Sequence, residues 1–308
     1  MFDLQGHRGA RGLWPENTLG GFARTIELGV CALELDCGVT RDGVVVVSHD
    51  PELNPDCTRD ARGRFLEGTG APLCTLSYQE LSTYDVGRLR PGSAYAARFP
   101  EQQPLDGERI PRLSEVLTLV RTHGRGRVRV CLEVKTFPER PQLTVAPEPF
   151  VAALERDIQA SGTQGLVAVI AFDWRVLECA QRLMPEVPTT ALTEEQPGED
   201  TLRLGSARPS PWLGGLDPAR FGGSIAPLVK ASGAGTWGPD YRDVSAERVR
   251  EMHALGIRVV PWTVNEPADM QRLLTCKVDG MVSDRPDLLR AFLERHAIPL
   301  PPRPQEGG

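Results

Sequence analysis

Short apolar runs alternate with helical patterns along almost the whole chain, and this alternation constrains the fold more than any other feature. It is the signature of βα units built around a parallel sheet. The clearest unit lies near the C-terminus. Residues 245–255 read as a helix closed by Gly256, residues 257–264 (IRVVPWTV) as a buried strand, and Asn265 as the cap of a helix with Pro267 in its first turn. Residues 278–283 read as the next strand. At the front, residues 4–8 read as a short strand; Asn17 or Thr18 then caps a helix carrying Leu19, Phe22, Ala23 and Ile26 on one face, and Gly29 ends it. Further strands are expected at 32–40, 44–49, 128–135 and 166–173, with weaker ones near 189–192 and 233–237. About eight repeats result, with an extra strand after the second. The expected fold class is α/β, a TIM (β/α)8 barrel; a doubly wound sheet needs fewer strands and usually a Gly-rich first turn.

The length of 308 residues leaves one or two domains open, and a single barrel domain over 1–296 fits it. Residues 51–112 are too many for an ordinary βα connection and are rich in Gly, Pro and Arg, so a small inserted lobe is expected after the second strand. It contains a capping box, Ser77-x-x-Glu80. Because the insertion follows a strand, it should overhang the barrel face where chemistry occurs. The Pro-rich tail at 297–308 is expected to be disordered.

Composition excludes several classes. Hydrophobic residues make up 40% and charged residues 25%, which is ordinary globular usage rather than that of a disordered, collagenous or coiled-coil chain. A net charge of −6 argues against bulk nucleic-acid binding, so any affinity for phosphate must come from a local cluster. No apolar run approaches the ~20 residues of a membrane-spanning helix, so no integral membrane segment is expected. The first six residues have neither a basic nor an apolar signal region, and the expected location is cytoplasmic. The seven cysteines are scattered without a CxxC, which favours reduced core thiols over a disulfide framework or a zinc site. Arg125, Arg127 and Arg129 form a period-two basic run, read as a solvated strand approach.

Charged residues inside apolar strand patterns are abnormal. Glu34 and Asp36 are two apart on one strand and Glu133 and Lys135 on another, so each pair points to one side. Unpaired buried carboxylates cost several kcal/mol each. Three of them at one rim require a cation, and all-oxygen ligation favours a hard ion, Mg²⁺ or Ca²⁺, with Mn²⁺ also allowed. Counting Arg8 and Lys135 as well, the cluster is left with one net positive charge, which the single negative charge of a phosphodiester neutralises. His7 and His49 terminate strand readings beside Arg8 and Asp50. Phosphoryl transfer needs a base and an acid, and two histidines beside three carboxylates are candidates for those roles.

The runs His7-Arg8-Gly9, Pro15-Glu16-Asn17-Thr18, Glu34-Leu35-Asp36, His49-Asp50, Glu133-Val134-Lys135, Trp262-Thr263-Val264-Asn265, Asp279-Gly280 and Ser283-Asp284-Arg285-Pro286 together resemble the glycerophosphodiester phosphodiesterase family, in the right order over nearly the whole chain. The resemblance implies a TIM barrel with an inserted lobe after the second strand. It implies one divalent cation held by Glu34, Asp36 and Glu133, acid–base roles for His7 and His49, and phosphate contacts from Arg8 and Lys135. It further implies hydrolysis of glycerophosphodiesters to glycerol 3-phosphate and an alcohol, with the neighbouring glycerol hydroxyl attacking to form a cyclic phosphate that water opens. Which histidine is the base is left open.

Glu16 is read as a residue that orients the ligand set, and Asn17 as a helix cap or a member of the same group. Trp262, and more weakly Phe172, are candidates to pack against the glycerol carbons. Residues 196–230 carry no recognisable motif, so the preferred alcohol is not legible. A rival reading is a lysophospholipase D or sphingomyelinase D-like phospholipase, which needs an apolar channel for an acyl chain. Tyr78, Leu81, Tyr84, Leu89, Tyr95 and Phe99 either line such a channel or pack the lobe, and packing is expected. A rival of another class is a barrel that binds phosphorylated ligands without turnover. The expected partner is a small-molecule diester.

Overall fold

The structure is a computed structural model that describes residues 1–206 and 208–303. Among these residues nine strands form one sheet: β1 (Asp3–Gly6), β2 (Ala32–Val39), β3 (Val45–Val47), β4 (Arg129–Val134), β5 (Val167–Ala171), β6 (Thr189–Thr193), β7 (Thr236–Pro239), β8 (Arg258–Val259) and β9 (Gly280–Ser283). Eight follow the order β8-β7-β6-β5-β4-β2-β1-β9 with parallel pairings, and β3 pairs antiparallel with β2. The amides of Asp279 and Val282 donate to the carbonyls of Val259 and Pro261, joining β9 to β8 and closing the ring. The fold is a TIM barrel with one extra antiparallel strand.

Period-two alternation divides each strand between two environments. On β2, Leu33, Leu35 and Cys37 face the outer helices and belong to the main hydrophobic core, as do Val130, Leu132 and Val134 on β4. The alternate positions Ala32 and Cys131, with Ala168, Ile170 and Leu192, form a small apolar cluster of their own, against which Phe172 and Trp262 pack. Glu34, Asp36 and Glu133 fall on this second set of positions, nearer the C-terminal ends of the same strands. At the other end Arg125 and Arg127 are exposed, and the part-exposed Arg129 donates to Asp3 at 2.6 Å.

Residues 51–112, read as a lobe, run between β3 and the helix Leu113–His123. Leu53, Leu73, Leu81 and Ile110 pack with Val46 of β3 into a separate apolar cluster, with Tyr78 and Tyr84 against it. The Ser77–Glu80 capping box forms as read. Leu81 and Phe99 are buried and Tyr78 and Tyr84 pack on the lobe's cluster, whereas Tyr95 lines the barrel cavity and Leu89 a small cavity beside it.

Of the two candidate caps Asn17 and Thr18 the structure uses Thr18, and the Asn265 cap is not formed. Thr18 alone caps the helix Leu19–Glu27, accepting from the Gly21 amide, and Asn17 is drawn away to Asp36. Glu266, not Asn265, precedes the helix Pro267–Thr275 and makes no side-chain cap; Asn265 is committed to Asp284. The Pro-rich tail is held as far as Arg303: Ile298 and Leu300 pack on the core, and Arg290 donates to the Pro301 carbonyl at 2.9 Å. Residues 304–308 lie outside the described residues. All seven cysteines are free thiols. No helix among the described residues is long and apolar enough to cross a membrane.

Candidate active site

Glu34, Asp36 and Glu133 each present an oxygen within 4.8 Å of the others, and all three side chains are buried. Strand pairing explains the meeting. Asp36 and Glu133 are Cα partners across β2 and β4, and Glu34 lies one pleat below Asp36 on the same face. Asp36 Oδ1 makes no well-aligned hydrogen bond, although the Lys135 ammonium lies 3.0 Å away. Lys135 also bridges to Glu133.

The electrostatics are uneven. Burial, and then Asp36 and Glu133, push the Glu34 carboxyl well above the ordinary carboxylate range. Burial opposes ionisation of Asp36 too, but the Lys135 ammonium and the Arg8 guanidinium hold its carboxyl well below that range. A buried oxygen without an aligned donor, among three carboxylates short of positive charge, is an environment that fits a hard divalent cation.

The loop after β1 supplies the next group. Arg8, Gly9 and Ala10 all have positive φ (49°, 72° and 60°), a left-handed turn that points the Arg8 amide at Glu34 Oε2, 3.0 Å away. The Arg8 side chain donates to Glu16 at 3.0 Å and lies 3.4 Å from Asp36. Its Nε has no aligned acceptor. Asn17 donates to Asp36 Oδ2 at 2.9 Å, so this side chain braces a carboxylate of the cluster. Glu16 also accepts from the Tyr95 hydroxyl, which reaches in from the inserted lobe.

Each histidine is held by an aspartate. His7 Nδ1 lies 2.6 Å from Asp284 Oδ1, and His49 Nδ1 lies 2.7 Å from Asp50 Oδ1. With Nδ1–H donating to the carboxylate, Nε2 of each ring is left as the free nitrogen, and in His7 it lies 3.8 Å from Glu34. The aspartates are themselves fixed: Asp284 accepts from Arg11 at 2.6 Å and Asn265 at 2.8 Å, and Asp50 accepts from Asn54 at 2.7 Å. Burial, with Arg11 and Arg8, lowers His7 to about 4 against the opposing pull of Asp284. His49 is lowered by burial, Arg8 and Lys135.

These residues open into a cavity of about 820 Å³ whose wall also includes Phe172 after β5, Glu194 after β6, Asp240 and Tyr241 after β7, and Trp262 after β8. Phe172 and Trp262 meet edge to face at 5.4 Å. Every candidate site residue read from the sequence except Glu16 and the buried Asp36 and Asn17 lines this cavity; Glu16 accepts from Arg8, Asp36 lies against Lys135, and the Asn17 amide donates to the Arg8 carbonyl. The sequence reading assigned no site role to Asp284, Asp50, Arg11 or Glu194, and read Tyr95 as lobe packing or channel wall rather than as a partner of Glu16. The signal for two of them was visible: Asp50 follows His49 directly, and Asp284 stands in a quoted run. Arg11, Tyr95 and Glu194 had no motif to mark them.

The profile described as the glycerophosphoryl diester phosphodiesterase family matches residues 7–288. A glycerophosphodiester phosphodiesterase of Bacillus subtilis is 27% identical over 92% of this chain and 83% of its own length. A human lysophospholipase D is 25% identical over 93% and 84% respectively. Among solved structures, a protein of Silicibacter pomeroyi carrying the same family name superposes with a TM-score of 0.86 at 36% identity, covering 97% of this chain and 95% of that one. A phosphodiesterase of Oleispira antarctica in complex with the product sn-glycerol-3-phosphate shares the fold, with a TM-score of 0.67 at 22% identity over 94% and 96%.

Proposed function

The chain belongs to the glycerophosphoryl diester phosphodiesterase family and is an enzyme of that class; from this premise we propose that it hydrolyses glycerophosphodiesters to glycerol 3-phosphate and an alcohol, with His7 and His49 as acid and base and one divalent cation on Glu34, Asp36 and Glu133. The observation that carries the reading is the opening of two Asp-held histidines and a three-carboxylate cluster into one cavity.

A cation bound there, Mg²⁺ or Ca²⁺ with Mn²⁺ as a further possibility, supplies Lewis-acid stabilisation of the charge that develops on phosphate oxygens. The protein's own groups do the rest. Arg8 and Lys135 give the site positive charge for the diester anion. The glycerol hydroxyl beside the ester attacks phosphorus and passes its proton to one histidine; the P–O bond to the alcohol breaks as the other histidine protonates the departing oxygen. Water opens the cyclic phosphate with the two roles exchanged. Asp284 and Asp50 fix each ring so that Nε2 is the working nitrogen, and the arriving phosphodiester anion favours the protonated form of a ring that burial and arginines otherwise keep neutral. Trp262 and Phe172 pack the glycerol carbons, while Glu16 and Asn17 hold Arg8 and Asp36 in place. Leu81, Tyr78 and Tyr84 are taken up by the lobe's own core and Tyr95 is tied to Glu16, which supports a water-soluble diester over a lysophospholipid.

The test is a panel of glycerophosphocholine, glycerophosphoethanolamine, glycerophosphoglycerol and lysophosphatidylcholine, together with a diester lacking the neighbouring hydroxyl. Cleavage of the first three and inertness of the deoxy compound are expected, with His7→Ala and His49→Ala each losing at least ~10²-fold. Cleavage confined to the lyso-lipid, or normal turnover in either variant, overturns the reading.

A further inference from the structure

A second cavity of about 370 Å³ opens beside the first between the loops that follow β4 and β6, and the two share Glu133, Lys135, Phe172, Glu194 and Glu199. It therefore begins at the proposed metal and phosphate groups and leads away from them. A diester has two arms, and with Trp262 taken by the glycerol this side cavity is left for the other.

Its wall is aromatic and acidic. Phe172 meets Trp212 edge to face at 6.5 Å as it meets Trp262 at 5.4 Å, so one aromatic surface continues from the main cavity into the side one. Phe137 adds a third ring to the lining. Glu194 is 91% buried and lines both cavities. The one side-chain hydrogen bond that the described residues give its carboxylate is from Arg242 at 3.5 Å, the outer limit of such a contact. Arg242 is already spent on Asp240, which it grips with two bonds of 2.8 and 2.7 Å. Of the other cations near the side cavity, Arg203 pairs with Glu139 at 2.5 Å and Lys135 with Asp36 and Glu133, while the exposed Arg140 stacks over the Phe137 ring at 5.4 Å without a carboxylate partner among the described residues. Burial, followed by Glu199 and Asp240, pushes Glu194 up to about 8 against the pull of Arg242, so a cation arriving beside it favours its ionised form.

We infer that this side cavity is the subsite for the leaving alcohol, and that Phe172, Trp212 and Glu194 select an alcohol bearing a cationic ammonium head. A quaternary or primary ammonium gains from aromatic faces against its methyl or methylene groups and from a desolvated carboxylate beside it. A neutral polyol gains from neither. The inference rests on the proposed diester hydrolysis and names the substrate class within it: choline- or ethanolamine-type head groups over glycerol.

The experiment measures kcat/KM for glycerophosphocholine and glycerophosphoglycerol on the wild-type chain and on Glu194→Gln, Glu199→Gln and Trp212→Leu, with inhibition by tetramethylammonium chloride read against sodium chloride at equal ionic strength. The wild-type ratio should favour the choline diester. It should fall about tenfold in Glu194→Gln and in Trp212→Leu, chiefly through KM, with tetramethylammonium inhibition weakened in step. Thermal melts of each variant separate loss of the subsite from loss of the fold, and Glu199→Gln, which removes a second negative charge from the wall shared by both cavities, should lower the ratio less than Glu194→Gln. If the wild type cleaves both diesters with equal kcat/KM, or if the ratio is unmoved in folded Glu194→Gln, the inference fails while the hydrolysis stands. If neither diester is cleaved, the hydrolysis itself fails.

Discussion

Two imidazoles that differ in exposure carry the same hydrogen-bonding device. His7 is buried and His49 about one-third exposed at its side chain, yet each gives Nδ1 to an aspartate. Both are shifted in the same direction, so the pH profile does not depend on which one is the base. The acid limb of kcat/KM should bend below 6.5, and a limb centred at or above that value would contradict the geometry. The same shift bears on stability. An unfolded chain protonates His7 near 6.5 whereas the folded chain holds it to about 4. Between those values the unfolded state binds the extra proton, so this residue's contribution to folding improves as pH rises through the window, and its penalty is complete below about 4. Residue chemistry was only half legible in the chain. The carboxylates stood out because charge in an apolar strand is anomalous, but Asp284 joins His7 only once the barrel closes, and no local pattern announces that contact.

The loop from β1 into the helix Leu19–Glu27 shows how an element can serve the site and the core together. Its left-handed turn aims the Arg8 amide at Glu34, while a Cβ on Gly9, where φ is +72°, would meet Phe22 at 2.7 Å. Gly9→Ala should destabilise the fold by about 1–3 kcal/mol, read as a lowered denaturant midpoint, and should cost activity in excess of the lost folded fraction. A variant with unchanged midpoint and activity would show the turn to be dispensable. Elements also mark where the sequence reading thinned. The eight-fold alternation was readable because hydrophobic periodicity depends on local spacing. The strand expected over 257–264 is regular only at Arg258–Val259, and Asn265 resembles a cap locally while its side chain serves Asp284. Trp212 sits in a Gly- and Pro-rich stretch whose path is set by tertiary packing, so its place beside Phe172 had no one-dimensional trace.

At the scale of the molecule, the barrel gathers negative charge that it does not itself balance. Adding Mg²⁺ or Ca²⁺ should raise the melting temperature, by about 2.7 kcal/mol of stabilisation at a hundredfold excess over Kd. Chelation should abolish hydrolysis and lower the melt together. A melt indifferent to both ions, or full activity in excess chelator, would remove the cation from the cluster. The cluster has a further consequence through the ladder on which it stands. Asp36 and Glu133 come from chain segments separated by the entire lobe, yet they are direct neighbours across β2 and β4. Sliding either strand by one residue would swap an acid for a leucine, a valine or a cysteine at the mouth and send the carboxylate into the greasy layer beneath the helices. Catalytic chemistry thus acts as an alignment mark for two otherwise interchangeable apolar ribbons: a mis-threaded barrel is penalised by desolvated charge as well as by poor packing.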